Sequence, residues 1–181
     1  MWTAEKVDKF MADYGFKPKN TKSEVKELPN ILQADEELRG LLDGMLKRVN
    51  GKDLNGAGLV IATNMRIIFF RKSIIGTVSK EDIPLRMITS SAYRKGLMMS
   101  AIAIITANNE AVVDYCENKE AERFNAIVHE LLNEQRTVSQ KNVQTQQPQT
   151  TNFEQLEKLF ELKQKGIITE EEFNQQKAKL L

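Results

Sequence analysis

The sequence predicts an α+β protein: an antiparallel sandwich or barrel of short strands, followed by helices. Three observations support this prediction. Several short runs of β-branched and aromatic residues recur at near-regular spacing between residues 59 and 115, with turn residues between them. The apolar pattern then changes to a helical period over 118–133. A polar segment follows, and two short helical patterns with their own start signals complete the sequence.

Composition limits what the chain can do. At 181 residues, with 41% hydrophobic and 28% charged residues, it can bury one good core and carry extensions. The formal net charge of +1 gives no general attraction to nucleic acid or acidic lipid, so an electrostatic site must be a local patch. The single cysteine, Cys116, excludes an intramolecular disulfide framework, and the first residues lack the unbroken apolar run of a secretory signal. We therefore expect a soluble cytoplasmic protein.

Residues 1–27 precede the strands. Val7, Phe10, Met11 and Tyr14 recur at helical spacing and predict a short amphipathic helix. Its polar face mixes both signs of charge, which favours packing on the domain over contact with a membrane. The polar stretch 17–27 predicts a linker.

The segment 56–71, GAGLVIATNMRIIFFR, predicts the central hairpin of the domain. Two runs that are apolar at nearly every position flank Thr63 and Asn64, which supply turn chemistry. Such strands meet a core on one face and are partly covered on the other. The sequence leaves 38–46 open between helix and strand, because its helix propensity conflicts with two internal glycines. Further strands are predicted over 77–83, 87–93, 100–106 and 111–115.

The end of the chain divides into three parts. The wide apolar stripe over 118–133, with Asn118 as a suitable N-cap, predicts one helix that closes the sheet domain. Residues 136–150 are rich in glutamine and contain almost no large apolar side chains, which predicts a flexible tether. Residues 151–181 contain two capping boxes and predict two short helices with a break at Gly166.

Several stretches resemble known families. GLVIATNMRIIFFRK, IPLRMITSSAYRKGLMMSAIAIIT and AERFNAIVHELL resemble the bacterial pleckstrin-homology-like (PH-like) domains of the YokE type, over residues 28–135. The tail LEKLFELKQKGIITEEEFNQQKAKLL resembles the SHOCT (short C-terminal) module. The first resemblance implies a seven-stranded antiparallel sandwich or barrel of two packed sheets, closed by a C-terminal helix. It also assigns 38–46 to the first strand.

Residues that could carry catalysis are scarce. His129, the only histidine, lies off the apolar stripe of the closing helix, where a solvated position is favoured over a catalytic base. Cys116 ends a predicted strand with no histidine nearby in sequence, so a small strand residue is favoured over a nucleophile. The glycines between 51 and 58 match no nucleotide-binding motif. We expect a protein that is not an enzyme and has no catalytic residues, cofactor or metal.

Two surfaces are candidates for binding. The resemblance implies that the loops after the first and third strands share one open end, where five basic residues could hold an anionic headgroup; a solvated rim of charge is the alternative. These residues are Lys47, Arg48, Lys52, Arg71 and Lys72. The turn 94–99, RKGLMM, is a candidate partner surface, with core filling as the alternative.

The leading functional hypothesis is a non-catalytic interaction or adaptor protein. Residues 151–181 are too few to sustain their own core, since domains below roughly 40 residues usually need disulfides or metal. The tail must therefore pack on this protein's body, a second copy or a partner protein, and we expect self-association anchored by two aromatic residues. The expected contact residues are Leu156, Leu159, Phe160, Ile167, Ile168, Phe173 and Leu180, with Phe160 and Phe173 as anchors. The alternative is a peripheral protein that makes weak contact with an anionic membrane through the basic open end. Nucleic acid is not expected as a partner.

Overall fold

The computed structural model of the protein describes residues 1–73, 75–145, 152–166 and 168–180, with side chains described as far as residue 137 and, in the tail, for 156–157, 159–166 and 168–177. The chain forms two compact units, 1–137 and 138–181. The helices of the first unit are α1 (Ala4–Tyr14), α2 (Lys22–Val25), α3 (Leu28–Ile31) and α4 (Asn118–Thr145), the last of which continues past the unit boundary. Its strands are β1 (Leu38–Val49), β2 (Lys52–Thr63), β3 (Arg66–Lys72), β4 (Val78–Pro84), β5 (Ile88–Lys95), β6 (Met99–Thr106) and β7 (Glu110–Glu117).

The strands form one seven-stranded antiparallel sheet in the order β4-β3-β2-β1-β7-β6-β5. β1 pairs with β2 along its length, and its distal part, from Met45 to Arg48, also pairs with β7. An irregularity between Leu46 and Arg48 interrupts both registers at the point where the two halves of the sheet meet. The predicted seven-stranded antiparallel fold closed by a helix is confirmed, with one continuous sheet instead of two separate ones. The assignment of 38–46 to the first strand is also confirmed.

The central hairpin lies where the sequence predicts it. β2 and β3 pair with Val60 opposite Phe69. The hydroxyl of Thr63 accepts hydrogen bonds from the backbone N–H groups of Met65, at 3.2 Å, and Arg66, at 3.0 Å. A side-chain oxygen therefore satisfies the backbone donors of the turn, which is the chemistry expected of threonine at this position.

The two faces of the central hairpin belong to different apolar clusters, because side chains alternate along a strand. The inner face packs against the other half of the sheet and α4, and its hairpin members are Val60, Ala62, Ile67 and Phe69. The outer face packs beneath the N-terminal helices, and its hairpin members are Leu59, Ile61, Ile68 and Phe70. None of these residues is more than 3% exposed. Burial on both faces explains why the two strands are apolar at nearly every position.

The N-terminal segment is part of the first unit. α1 buries Val7 in the outer cluster, as the amphipathic pattern predicts. The prediction of a linker over 17–27 is wrong, because α2 lies in this segment and both Thr21 and Glu24 are buried. A polar sequence can pack here because its polar atoms have partners in the sheet: the Glu24 carboxylate accepts the backbone N–H of Lys72 at 2.9 Å.

Helix α4 closes the sheet and is longer than predicted. Its buried residues are Ala121, Phe124, Val128, Leu131 and Leu132. The helix continues to Thr145, so 136–145, predicted as part of a tether, is helical. This stretch contains no glycine or proline, and a helix that has already formed extends at little cost. The rest of the predicted tether, 146–150, lies outside the described residues.

The second unit contains α5 (Asn152–Gln164) and α6 (Glu170–Leu180), where the sequence predicts two short helices. Gly166 has a φ of +68°, the left-handed conformation that suits the end of a helix. The capping box before α6 is formed, since the backbone N–H of Thr169 donates to Glu172 at 2.9 Å and the backbone N–H of Glu172 donates to the Thr169 hydroxyl at 3.3 Å. None of the described helices combines the length and the apolarity needed to cross a bilayer.

Candidate functional site

Two of the five predicted anion-binding residues form ion pairs on the β1–β2 hairpin. The guanidinium of Arg48 donates to Asp53 at 2.9 Å, and the ammonium of Lys52 donates to Glu81 at 2.5 Å. The hydrogen bond from Lys52 holds the pKa of Glu81 below its usual range, and the one to Asp53 raises the pKa of Arg48. Carboxylates therefore compensate part of the positive charge at this hairpin before any ligand binds.

The other three predicted residues have different surroundings. The ammonium of Lys47 lies 5.8 Å from the centre of the Tyr115 ring, within the range of a cation–π interaction. The side chain of Arg71 lies against Gly56, where an added Cβ would come within 2.0 Å of the Arg71 Nε. Lys72 lines a cavity together with three lysines that are not among the predicted five. Anion binding by the predicted set of five stays a prediction.

The cavity beside Lys72 has a volume of about 520 Å³ and is strongly basic. We call it the lysine cavity; its lining residues are Lys19, Asn20, Lys22, Ser23, Lys26, Glu27 and Lys72. All but the last come from the segment around α2, because that short helix turns Glu24 and Val25 inward and leaves its other residues facing out. Four lysines against one glutamate make this the kind of local patch that attracts a phosphate or another multiply charged anion.

Buried carboxylates fix the wall of the lysine cavity. Asp43 in β1 accepts the backbone N–H of Lys19 at 2.6 Å and the hydroxyl of Thr21. Asp43 is 8% exposed, so these bonds replace water at a buried carboxylate and hold the segment against the sheet. Hydrogen bonds to β1 therefore fix the backbone that carries Lys19 and the start of α2.

Two of the four cavity lysines already have carboxylate partners. Lys19 donates to Glu117, which raises the pKa of Lys19, and Lys72 donates to Glu27 at 2.7 Å. Within the part of the chain that the structure describes, Lys22 and Lys26 make no salt bridge. These two are the cations most available to an incoming anion. The only sign of the site in the sequence is that they lie four residues apart in the polar segment 17–27.

The geometry around His129 and Cys116 does not support catalysis. Ser91 lies 3.4 Å from the Nε2 of His129, but its hydroxyl donates to the side-chain oxygen of Asn125 at 2.8 Å, so the serine is not donating a proton to the histidine. Cys116 is buried, and burial raises the pKa of its thiol to about 12, with Asp114 and other acidic groups adding to the effect. Among the described residues no cluster of three or more His, Cys, Asp or Glu could hold a metal.

The β5–β6 turn exposes apolar side chains, as one of the two interpretations of RKGLMM expected. Leu97 is 99% exposed, Met98 80% and Met99 48%. We call these three residues the apolar tip. A cavity of about 330 Å³ lies beside it, between Arg94 and Tyr115.

In the tail, the two predicted aromatic anchors contact each other. The rings of Phe160 and Phe173 lie 6.4 Å apart between their centres, in an edge-to-face arrangement at 64°. Phe160 remains 51% exposed and Leu162 37%. Of the predicted contact set, Leu156, Leu159 and Ile168 are half-buried, Ile167 lies outside the described residues, and the side chain of Leu180 is not described.

Comparisons with known proteins match both parts of the chain. A family model for the bacterial PH domain matches residues 32–130, and one for the short C-terminal (SHOCT) domain matches 154–181, as the sequence resemblances predict. A solved DUF1696 family protein with a pleckstrin-homology domain, from Shewanella loihica PV-4, is 15% identical with a TM-score of 0.41, over 63% of this chain and 94% of that chain. The pleckstrin homology domain from Shewanella amazonensis SB2B is 20% identical with a TM-score of 0.36, over 52% of this chain and 82% of that chain. A comparison with curated proteins gave no match.

Proposed function

Because the chain belongs to the bacterial PH domain family, we propose that it is a non-catalytic adaptor of the reducing cytoplasm, whose body binds a partner and whose SHOCT tail joins copies of the chain. The observation that carries the proposal is the half-exposed aromatic pair of the tail. Phe160 is 51% exposed although its ring meets Phe173 edge to face. We infer that a partner covers this ring, because aromatic side chains are enriched among the anchors of protein interfaces.

The size of the tail supports the same proposal. Helices α5 and α6 together span residues 152–180, fewer than the roughly 40 residues below which a domain usually needs disulfides, metal or oligomerisation. The pair is held by the Phe160–Phe173 contact and by the ion pair between Lys163 and Glu170, at 2.6 Å. Burying a phenylalanine completely contributes about 1.5–3 kcal/mol, and Phe160, 51% exposed, has about half of that still to gain, which is large on the scale of so small a unit.

A second copy is the partner we favour over an unrelated protein. Two identical tails can place the same apolar patch against itself across a two-fold axis, and each copy then supplies the cover that the other lacks. Phe160 and Phe173 are the proposed anchors, with Leu156, Leu159 and Ile168 around them. Ile167 and Leu180 stay members of the predicted set.

Light scattering at several protein concentrations tests this proposal. The full chain, of 20.7 kDa, should give a mass of at least twice this value. A version ending at Thr150 should be monomeric. Phe160→Ala should shift the full chain toward monomer, whereas Glu161→Ala, a neighbouring exposed position on α5, should not. Equal monomeric masses for the full chain and the shortened version would reject self-association and leave a foreign partner or docking on the body.

The second candidate function is binding of an anionic headgroup, and the lysine cavity favours it. Co-sedimentation with vesicles over a series of salt concentrations tests it, because binding of this kind weakens as ionic strength rises. The double substitution Lys22→Gln and Lys26→Gln should remove the salt-sensitive component. Arg48→Gln with Lys52→Gln, where carboxylates already pair both cations, serves as the control of equal charge. Equal losses from the two double variants would argue for general surface charge and against the cavity.

A further inference from the structure

The apolar tip is the most exposed run of large apolar residues in the described part of the chain. Single exposed apolar side chains are ordinary on protein surfaces. Leu97, Met98 and Met99 are consecutive, however, and the first two are 99% and 80% exposed at the end of a hairpin. A protruding apolar group of this kind, with water on almost all sides, marks a surface that can contact a membrane or another protein.

The turn that carries the apolar tip is fixed by hydrogen bonds. The backbone N–H of Gly96 donates to the carbonyl of Met99 at 3.1 Å, and the side-chain amide of Asn118, at the start of α4, donates to the Gly96 carbonyl at 3.3 Å. A Cβ at position 96 would lie 2.3 Å from the Met99 carbonyl oxygen, so the turn requires glycine. Leu97 and Met98 are therefore held outward by a formed turn between β5 and β6.

Two cations and an exposed aromatic residue lie next to the apolar tip. Arg94 and Lys95 directly precede it and line the cavity of about 330 Å³ with Asp114 and Tyr115. Tyr115 is 66% exposed and has a φ of +55°, which is uncommon for a residue other than glycine and places its ring on the surface. The ammonium of Lys47 lies over that ring, at 5.8 Å from its centre. Two cations, Arg94 and Lys95, and the exposed Tyr115 thus flank the tip. Asp114 shares their cavity, and on the other side Glu117 and Glu120 line a cavity with Met99, where Glu117 is already paired with Lys19.

We propose that the β5–β6 turn inserts Leu97 and Met98 into the interfacial region of an anionic lipid bilayer. Arg94 and Lys95, which directly precede the tip, would then lie at the level of the headgroups, and Tyr115 would lie where tyrosine is enriched at membrane–water interfaces. A bilayer suits this surface better than a folded partner, because the tip is a narrow projection, whereas a stable protein interface usually covers about 800 Å² on each side. The inference is independent of the tail, and it shares with the second candidate function only the anionic bilayer.

Fluorescence of Leu97→Trp tests the insertion directly. The chain has one tryptophan, Trp2, whose indole donates to the Glu36 carbonyl at 2.8 Å, so the unsubstituted protein supplies the background. With vesicles of phosphatidylcholine and phosphatidylglycerol, the emission of Leu97→Trp should shift to the blue and be quenched by brominated acyl chains. Phosphatidylcholine alone should give neither effect. Ile75→Trp, on the β3–β4 turn and 90% exposed in the native protein, is the matched control and should not respond.

Two double variants separate apolar insertion from charge. Leu97→Ser with Met98→Ser should lower vesicle binding about tenfold or more, since both side chains are exposed in the free protein and contribute only when buried in lipid. Arg94→Gln with Lys95→Gln should weaken binding and flatten its dependence on salt. Exposed positions of this kind tolerate substitution, so circular dichroism should be unchanged in both variants.

Four results would overturn the insertion. One is an emission spectrum of Leu97→Trp that does not change with anionic vesicles. Another is a blue shift of Ile75→Trp instead, which would show that the β3–β4 turn contacts the bilayer. The third is a blue shift of Leu97→Trp that appears without lipid and grows with protein concentration, which would show that a second copy of the chain covers the tip. If Lys22→Gln with Lys26→Gln abolishes vesicle binding while Leu97→Ser with Met98→Ser leaves it intact, the lysine cavity binds the headgroup and the tip does not insert.

Discussion

The guanidinium of Arg66 donates two hydrogen bonds to the carboxylate of Glu36, from Nε at 2.9 Å and from Nη2 at 3.0 Å. The Glu36 side chain is fully buried, and the Arg66 side chain is 12% exposed. Arg66 also donates to Asp82 at 3.1 Å, so the pair connects Glu36, two residues before β1, with the central hairpin and with β4. The hydroxyl of Thr63 adds a bond to Glu36 at 2.8 Å. The backbone N–H of Gln33 donates a fourth bond, at 3.0 Å, so each oxygen of the buried carboxylate accepts two hydrogen bonds, which is what a buried charge requires.

Replacing Arg66 should be one of the most damaging single changes in the first unit. Arg66→Met keeps the length of the side chain but leaves Glu36 buried without its cation, which should lower the free energy of unfolding by about 3–5 kcal/mol. Chemical denaturation measures this loss. Arg48→Met is the control, because the Arg48–Asp53 pair is solvent-exposed and surface pairs contribute little. Equal losses from the two variants would contradict the role given to the Glu36–Arg66 pair.

The same pair should make stability depend on pH in the acid range. Burial alone would raise the pKa of Glu36, but hydrogen bonds from Arg66, Gln33 and Thr63 outweigh it and hold the pKa below its usual range. A carboxyl whose pKa is lowered by folding stabilises the native state above its ordinary pKa of about 4.3, and this contribution is lost as the pH falls through the folded value. The difference in stability between the native protein and Arg66→Met should therefore narrow below about pH 4. Denaturation at a series of pH values measures the difference, and a gap that is constant down to acid pH would exclude this linkage.

Gly44 should tolerate a methyl group worse than Gly40, although both lie in β1. A Cβ at Gly44 would come within 2.4 Å of the Val113 side chain and 2.8 Å of the Cys116 sulfur. At Gly40 the nearest atoms are side-chain atoms at 3.3 Å. Gly44→Ala should cost about 1–3 kcal/mol of stability through overpacking, and Gly40→Ala less. Val113→Ala should restore part of the loss in the double variant; additive losses in a double-mutant cycle would show that the close approach is not the cause.

These glycines also show why the local sequence does not decide whether 38–46 forms a helix or a strand. Within 38–46 the helix propensity of the residues competes with the glycines, and nothing in the segment decides between helix and strand. The packing reason for Gly44 lies in Val113, in a strand that is distant in sequence. The central hairpin was predictable because its signals are local: two β-rich runs, a threonine that closes the turn, and apolar residues on both faces.

The candidate sites depended even more on contacts between distant residues. The sequence points to Lys72 as a residue of the loop expected after the third strand, although it is the last residue of β3, and it predicts only a linker where Lys22 and Lys26 lie. The three share one cavity because Glu24 accepts the Lys72 backbone N–H and ties α2 to β3. Which carboxylate pairs with a given lysine is likewise set by the fold, since Lys52 in β2 meets Glu81 in β4 although the two strands are not neighbours in the sheet. Charge composition alone contains none of this information.

The N-terminal segment should be required for folding, although the family match begins only at residue 32. Residues 1–31 cover the outer face of the central hairpin, and removing them would expose an apolar surface formed by Leu41, Leu59, Ile61, Ile68 and Phe70. Burial of each such side chain contributes about 1.5–3 kcal/mol, so the combined loss reaches the whole 5–15 kcal/mol typical of a domain.

A version of the chain that starts at Leu32 should therefore aggregate or unfold without cooperativity, as followed by thermal unfolding and size-exclusion chromatography. A version that ends at Thr137, which removes the second unit instead, should keep a cooperative transition because the apolar clusters lie within the first unit. Trp2→Phe, which removes the hydrogen bond from the indole to the Glu36 carbonyl and keeps an aromatic ring at the outer cluster, should cost far less than the deletion, about 1 kcal/mol. If the version starting at Leu32 unfolds cooperatively near the temperature of the full chain, the segment is dispensable and the outer face is stable without its cover.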